Sequence, residues 1–154
     1  MAEHAGPVPV RERREIGVVE ATLREGLGGG GMGENQRHLH DDWIREIARR
    51  GGVIGLNLYG NFLTRERAPE GQATLATLDD AVAHVLHICE LTGSREHVGL
   101  GSDMDGGFGA DMMPSGVRRP ADLDRLAEAL AKRGFDDADL AAFTHGNWAR
   151  VFSQ

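Results

Sequence analysis

An apolar stretch of this sequence ends in two acidic residues, in "HVGLGSDMDGG", residues 97–107. Asp103 follows the apolar run, and Asp105 precedes Gly106 and Gly107. In parallel α/β folds the carboxyl ends of the strands face the active site, so a carboxylate there can bind a metal ion or act as a general base. Alternatively, Asp103 caps the following loop and Asp105 begins an Asx turn. The local pattern leaves both interpretations open.

Several histidines could also do chemistry. His84 and His87 are spaced i, i+3, so they share one helix face and could bind zinc. No acid or third histidine lies at the spacing of a zincin motif, so we expect both to pack or to form local hydrogen bonds. His38 and His40 flank a helix start, and we expect them to be surface or capping residues.

Other motifs are incomplete. The stretch "DMDGGFGADMMP" lacks the third oxygen ligand and the final glutamate of a calcium loop. The run "GGGGMG" lacks the Lys-Ser/Thr of a phosphate loop, and "GLGSDM" lacks the third glycine of a dinucleotide fingerprint. The single cysteine, Cys89, excludes an internal disulfide and a cysteine-based zinc cluster, and we expect it to be a packing residue.

Two helices and two strands are predicted around Asp103. "HDDWIREIARRGG" places apolar residues at helical spacing between Asp41 and the stop signal Gly51. "ATLDDAVAHVLHICELTGS" begins with a capping-box pattern and stops at Gly93. "GVIGLNLYG" and "HVGLGSD" are apolar without alternation, as in parallel strands buried on both faces. The handedness of crossovers places these two strands side by side.

The two ends of the chain differ in character. Near the C terminus, one helix opens at Pro120 and ends near Gly134, and another starts at about Asp136. Residues 1–36 mix charge with "GGGGMG", so we expect them to be partly disordered, with a short helix possible over residues 14–25. The predicted organisation is an atypical segment, 1–36, and an α/β domain, 37–154, with two parallel strands and about four helices.

Composition and length disfavour several classes of partner and limit the possible fold. The chain has 154 residues and a net charge of −7, and no Lys/Arg cluster is interleaved with aromatic residues, which disfavours nucleic acid and anionic membranes as partners. No apolar run reaches the length of a membrane span or a signal peptide, so a soluble, cytoplasmic protein is expected. A closed eight-stranded barrel needs about 200 residues or more, so any barrel here is a portion of one.

Three stretches resemble the C-terminal part of the membrane dipeptidase (renal dipeptidase) family, peptidase family M19. They are "RHLHDDWIREIARRGGVIGLNLYGNFL", "TLDDAVAHVLHICELTGSREHVGLGSDMDGG" and "LAEALAKRGFDDADLAAFTHGNWARVF". The "GLGSDMDG" and "GNWARVF" pieces are the most specific marks, and the match covers about three quarters of the chain. The resemblance implies a (β/α)8 TIM-barrel hydrolase that binds two zinc ions and cleaves dipeptides, often with a D-residue at the C-terminal position.

The resemblance also implies roles for individual residues. It implies that Asp103 is the family's active-site aspartate and that Arg37 holds the substrate carboxylate, for which a planar guanidinium is suited. Arg37 could equally be a solvated residue before a helix. Asn147 and Arg150 fall in the family's terminal helix and are expected to be structural.

The zinc ligands that the resemblance implies have no counterparts in this sequence. In the family they come from strands upstream of Arg37, and Gly26 stands near the place of one zinc histidine. The hypothesis is a zinc-dependent dipeptidase in truncated form, which lacks most of its metal ligands. The alternative is a non-catalytic fragment that associates with itself or with a complementary chain, because parallel strands with free edges are templates for pairing.

Overall fold

The computed structural model describes residues 18–23, 38–64 and 68–153. Four parallel strands form one sheet, in the order β2-β1-β3-β4. The strands are β1 Val18–Leu23, β2 His38–Leu39, β3 Val53–Leu56 and β4 Val98–Leu100. β3 and β4 are the two predicted strands, and they are neighbours, with Ile54 paired to Val98, as the crossover rule predicts.

Strand β1 corrects one prediction. The sequence allowed a short helix over residues 14–25, but Val18–Leu23 is a strand that pairs with β3 on one side and with β2 on the other. The stretch "VVEATL" is rich in β-branched residues, and a vacant edge of β3 offers the backbone a hydrogen-bonding partner. Pairing in the sheet therefore outweighs a weak local helical pattern.

The first helices begin and end at the signals in the sequence. Helix α1 runs over Asp41–Arg49, and Gly51 follows it at φ 79°. The short α2, Gly60–Leu63, was not predicted. Helix α3, Leu78–Thr92, begins with a capping box between Thr77 and Asp80 and ends at Gly93, which adopts the left-handed conformation.

The C-terminal part contains the two predicted helices and a further one. A 3₁₀ turn, Pro120–Leu123, leads into α4, Asp124–Ala131. Helix α5, Asp137–Ala141, has a capping box between Asp136 and Asp139. A π-helical turn, Ala142–Gly146, then joins α5 to α6, Asn147–Phe152.

The apolar core lies on one face of the sheet. Alternate strand residues, Ile54, Leu56 and Val98, pack against the helices. Buried helix residues complete the cluster: Ile44, Ile47, Val82, Val85, Ile88, Leu126 and Leu130. Gly55 and Gly99 belong to the other face, where the Trp148 indole lies so close that a Cβ on Gly99 would be 2.5 Å from Nε1.

Side chains of α6 close the outer edge of β4. The backbone polar groups of His97 and Gly101 bond to β3, so those of Val98 and Leu100, which alternate with them, point away from the sheet. The Val98 carbonyl accepts a hydrogen bond from Asn147 Nδ2 at 2.9 Å, and the Leu100 carbonyl accepts one from Trp148 Nε1 at 3.0 Å. The two carbonyls that would accept from a neighbouring strand are thus already occupied.

No helix within the described ranges is both long and apolar enough to cross a membrane.

Candidate active site

Two polar side chains meet where β3 and β4 end. Asn57 follows β3 directly, and Asp103 lies three residues beyond the end of β4. Because the strands are parallel neighbours, their carboxyl ends lie at the same edge of the sheet. Asn57 Nδ2 donates a hydrogen bond to Asp103 Oδ2 at 3.0 Å, although the residues are 46 positions apart in sequence. Asp103 thus lies at the strand-end edge that the sequence indicated.

Asn57 is itself fixed by the backbone. Its side chain is almost fully buried, with 2 % exposure, and its Oδ1 accepts a hydrogen bond from the Tyr59 N–H at 2.7 Å. Both ends of the amide are therefore occupied, as a buried polar group requires.

The turn after β4 carries backbone strain. Asp103 and Asp105 have φ values of 54° and 62°, in the left-handed region, where a non-glycine residue is disfavoured by about 1–2 kcal/mol. Aspartate is among the residues that tolerate this region. The Gly106 N–H donates to the Asp103 carbonyl at 3.0 Å, which closes the turn. A Cβ on Gly106 would lie 2.1 Å from Asp103 Oδ1, so only glycine leaves space for the carboxylate here.

An aromatic cluster lies beside this turn. The Tyr59 ring lies 4.8 Å from the Phe62 ring and 4.8 Å from the Phe108 ring, measured between centroids. A shallow pocket of about 40 Å³ lies next to Phe108, between Met104 and Arg119. This volume has room for water molecules and is far too small for a dipeptide.

The histidines of α3 bind protein groups. His84 Nε2 donates to the Leu63 carbonyl at 3.2 Å, and His87 Nε2 lies 3.1 Å from Asp41 Oδ1. Burial lowers the pKa of His84 to about 4, despite its hydrogen bond to Leu63. These contacts are the local hydrogen bonds expected of this pair.

His38 and His40 have different positions. His40 is exposed at the start of α1, as expected, but makes no side-chain capping bond. His38 is not a surface or capping residue, because it lies in β2, is partly buried and donates from Nε2 to the Phe62 carbonyl at 3.1 Å. The pairing of β2 with β1 draws this residue into the sheet.

The described residues do not fit a two-zinc site. Among residues 38–64 and 68–153, no group of three or more His, Cys, Asp or Glu side chains is placed to hold a metal ion. A tightly bound zinc needs three or four such protein ligands. Arg37 and Gly26 lie outside the described residues. Cys89 is partly buried, and burial raises the pKa of its thiol to about 11, which suits a packing residue rather than a reactive thiolate.

The residues expected to be structural lie at the opposite end of the strands. Asn147 Nδ2 donates to the carbonyls of Arg95 and Val98, at the start of β4. Arg150 donates from its guanidinium to the Gly51 carbonyl at 2.8 Å and to the Glu96 carbonyl at 2.6 Å. Both side chains therefore hold the amino ends of β3 and β4, far from Asp103.

A model of the family described as membrane dipeptidase (peptidase family M19) matches residues 30–154. The chain belongs to the membrane dipeptidase family. Among curated relatives, this dipeptidase-family chain is 31% identical over 149 residues to an uncharacterized dipeptidase of Schizosaccharomyces pombe, covering 97% of the chain and 34% of the relative. It is 31% identical over 117 residues to the dipeptidase aclJ of Aspergillus oryzae, covering 76% of the chain and 26% of the relative.

Two solved structures support the fold. The metallopeptidase described as dipeptidase AC, of family M19, superposes with a TM-score of 0.65 at 26% identity, over 76% of this chain and 32% of that one. A metallopeptidase from Rhodobacter sphaeroides, liganded with a phosphinate mimic of the dipeptide L-Ala-D-Ala, gives 0.62 at 28% identity, over 76% and 31%. The α/β fold thus corresponds to part of the TIM-barrel-type fold of M19 dipeptidases, as expected. The chain spans about one third of the length of these relatives.

Asn57 was missed in the sequence, although a signal for it existed. It is a polar residue directly after a buried apolar strand, as Asp103 is at the end of the next strand in the predicted sheet. Applying the strand-end rule to both strands would have placed the two side chains together.

Proposed function

We propose that this chain supplies the acid–base carboxylate of a dipeptidase site, and that Asp103 moves the proton during hydrolysis. The observation that carries the proposal is the carboxylate at the carboxyl ends of the strands, held by Asn57, in a chain of the membrane dipeptidase family. During hydrolysis, a water oxygen attacks the peptide carbonyl carbon and gives its proton to the Asp103 carboxylate. The same proton then passes to the leaving nitrogen as the C–N bond breaks.

The substrate we propose is a dipeptide, including one with a D-residue at its C-terminal position. The R. sphaeroides relative binds a mimic of L-Ala-D-Ala, which supports this choice. In this proposal Arg37 binds the substrate carboxylate, because a planar guanidinium can donate two parallel hydrogen bonds to it. The pocket beside Phe108 is too small to be the dipeptide site.

Zinc is the metal we propose for the complete site. The ligands would come from outside the described residues or from a complementary chain, since the described ones form no suitable cluster. A zinc ion would supply a polarised water or carbonyl. The role proposed for this chain's own Asp103 is the proton transfer alone.

The decisive experiment combines zinc content with hydrolysis. Protein purified with zinc and then exhaustively dialysed is analysed for zinc per chain and assayed on L-Ala-D-Ala. About two zinc ions per chain with measurable turnover would support the proposal, and a zinc-free, inactive chain would mean that the ligands must come from a complementary chain. Asp103→Asn should reduce kcat by a factor of about 10² or more, because the general acid–base group is lost. Asp105→Asn is the matched control, since Asp105 is exposed in the same turn, and it should change kcat less than about twofold. Unchanged turnover in Asp103→Asn would contradict the proposal.

A second candidate is a non-catalytic chain that associates with another copy or with a complementary chain. This candidate is favoured by the side chains available, because the described residues form no cluster of metal ligands. The β4 edge is a poor surface for strand pairing, since Asn147 and Trp148 occupy its carbonyls. A zinc-free, monodisperse oligomer in sedimentation equilibrium would support this candidate, and a zinc-free monomer would oppose both.

A further inference from the structure

We infer that Asn57 is the positioning residue for Asp103: its buried amide holds Oδ2 and so orients the carboxylate that transfers the proton. This inference deepens the proposed function and rests on it. It concerns how this chain orients the carboxylate.

The orientation of the Asn57 amide follows from its partners. A backbone N–H can only donate, so the Asn57 atom 2.7 Å from the Tyr59 nitrogen is the carbonyl oxygen Oδ1. The other end is therefore the NH₂ group, and this group faces Asp103 Oδ2 at 3.0 Å. Since Asn57 is 2 % exposed, water has little access to compete for either bond. The amide is a fixed donor aimed at one carboxylate oxygen.

The carboxylate needs such a donor because its terminal torsion is otherwise loosely defined. Rotation of a carboxyl group about its last bond is broad, unlike rotation about a bond between tetrahedral carbons. Oδ1 lies close to Gly106, because a Cβ on that residue would be 2.1 Å from this oxygen. Asn57 thus distinguishes the two oxygens: Oδ2 is held by its hydrogen bond, and Oδ1 lies against Gly106.

Asn57 also has a purely structural contact, which must be separated from its positioning role. The bond from the Tyr59 N–H stabilises the turn after β3 and does not involve Asp103. Asn57→Asp separates the two, because the new carboxylate still accepts from Tyr59 N–H but places an oxygen where the NH₂ group was. Two carboxylates about 3 Å apart repel each other, so Asp103 should turn away. Asn57→Leu removes both contacts.

Asn61 provides a matched control. Its Oδ1 accepts a hydrogen bond from the Ala68 N–H at 3.0 Å, which is the same kind of contact as that between Asn57 and Tyr59. Asn61→Asp therefore repeats the chemical change in the neighbouring helix α2, at a side chain that does not bond Asp103.

The test measures the Asp103 carboxyl carbon directly. In protein labelled with ¹³C at aspartate carboxyl groups, the Asp103 resonance is assigned by its loss in Asp103→Asn. At pH 7 we expect this resonance to move in Asn57→Asp and Asn57→Leu and to stay in place in Asn61→Asp. A resonance that is unchanged in both Asn57 variants would overturn the inference, whatever the enzyme assay shows.

The kinetic measurement distinguishes positioning from a structural role. Loss of a residue that orients a reacting group typically costs about 10- to 100-fold in activity. We expect this loss in kcat for Asn57→Asp, with KM within about twofold, and no further loss when Asn57→Leu is added to Asp103→Asn. A rise in KM alone, or full additivity in the double variant, would overturn the positioning role. A moved resonance in a chain without any hydrolysis would support the contact and refute the proposed function.

Gly106→Ala covers the case in which the Asn57 variants fail to fold. Its methyl group would lie 2.1 Å from Asp103 Oδ1 and 2.9 Å from the Asp103 carbonyl oxygen, so Asp103 must move relative to Asn57. The Asn57 side-chain NH₂ resonances should then shift in an otherwise native ¹⁵N spectrum. Unshifted resonances would overturn the inference.

Discussion

Replacing Asn147 by leucine should destabilise the chain, although the two side chains are similar in size, because leucine cannot donate a hydrogen bond. Asn147 is 4 % exposed, and its Nδ2 donates to the carbonyls of Val98 and Arg95 at 2.9 and 2.8 Å. Val98 is fully buried, so water cannot replace the lost bond, which costs about 1–3 kcal/mol. Arg95 is partly exposed, and its carbonyl adds at most about 1 kcal/mol. For a chain of 154 residues, a total of about 1–4 kcal/mol lowers Tm by roughly 2–16 °C.

Asn147→Asp tests whether hydrogen bonding or packing dominates. The carboxylate has the same shape as the amide, but it faces two carbonyl oxygens and loses hydration, so we expect a loss of at least about 3 kcal/mol at pH 7. Desolvation raises the pKa of this introduced carboxyl group above its unfolded value, so its penalty shrinks as the pH falls toward about 4. Urea unfolding of both variants at pH 7 and pH 4.5 measures this. A less destabilised aspartate variant than leucine variant at pH 7 would refute the reasoning, because packing would then decide the order.

Two further predictions concern His84 and Trp148. Burial holds the pKa of His84 at about 4, whereas an unfolded histidine titrates near 6.5, so the unfolded state binds this proton first as the pH falls. The free energy of unfolding should therefore fall by about 3 kcal/mol between pH 6.5 and pH 4. Below pH 4 this group should cause no further loss. His84→Gln should remove that part of the slope in urea unfolding, and an unchanged slope would speak against it. Trp148→Phe keeps an aromatic ring over Gly99 but frees the Leu100 carbonyl, so it should cost about 1–2 kcal/mol and promote association in sedimentation velocity. Parent-like stability and association state would contradict that prediction.

Helices α1, α3, α4 and α5 were predictable because their signals are local. The Thr77–Asp80 capping box, Gly93 in the left-handed conformation and the Asp136–Asp139 box each involve residues within one turn of a helix end. Such patterns act through bonds between neighbours in sequence, so the letters alone contain the information. The π-helical turn that divides the last helix had no comparable local signal. Its residues, Ala142–Gly146, contact β4, which is distant in sequence.

The sheet was predictable only in part. β3 and β4 are apolar runs flanked by helices, and the handedness rule is sufficient to make them neighbours. Strand β1 lies in a stretch whose local pattern is ambiguous, and its identity depends on the vacant edge of β3. Short strands such as β2, with two residues, exist only because a partner is present. Non-local pairing of this kind leaves a weak trace in a single sequence.

The candidate site, like the sheet, was predictable only in part. Asp103 was predictable from its position at a strand end, and its contact with Asn57 follows once the two strands are neighbours. The strained conformation of Asp103, by contrast, depends on the turn that Gly106 closes. Backbone strain of this kind is tolerated where the surrounding structure stabilises it, and such strain clusters at functional sites.

The two ends of β4 are stabilised by different contacts. Substitutions at the two ends should therefore affect different properties, the free energy of unfolding at one end and the Asp103 carboxylate at the other. At the amino end, Asn147 and Arg150 bind carbonyl groups through charged or amide donors. At the carboxyl end, the backbone is strained at Asp103, and the main polar contact is the one from Asn57. Substitutions at the amino end should therefore lower the free energy of unfolding while the Asp103 resonance stays in place. Substitutions of Asn57 should instead move that resonance, because they change the group that contacts Asp103 Oδ2.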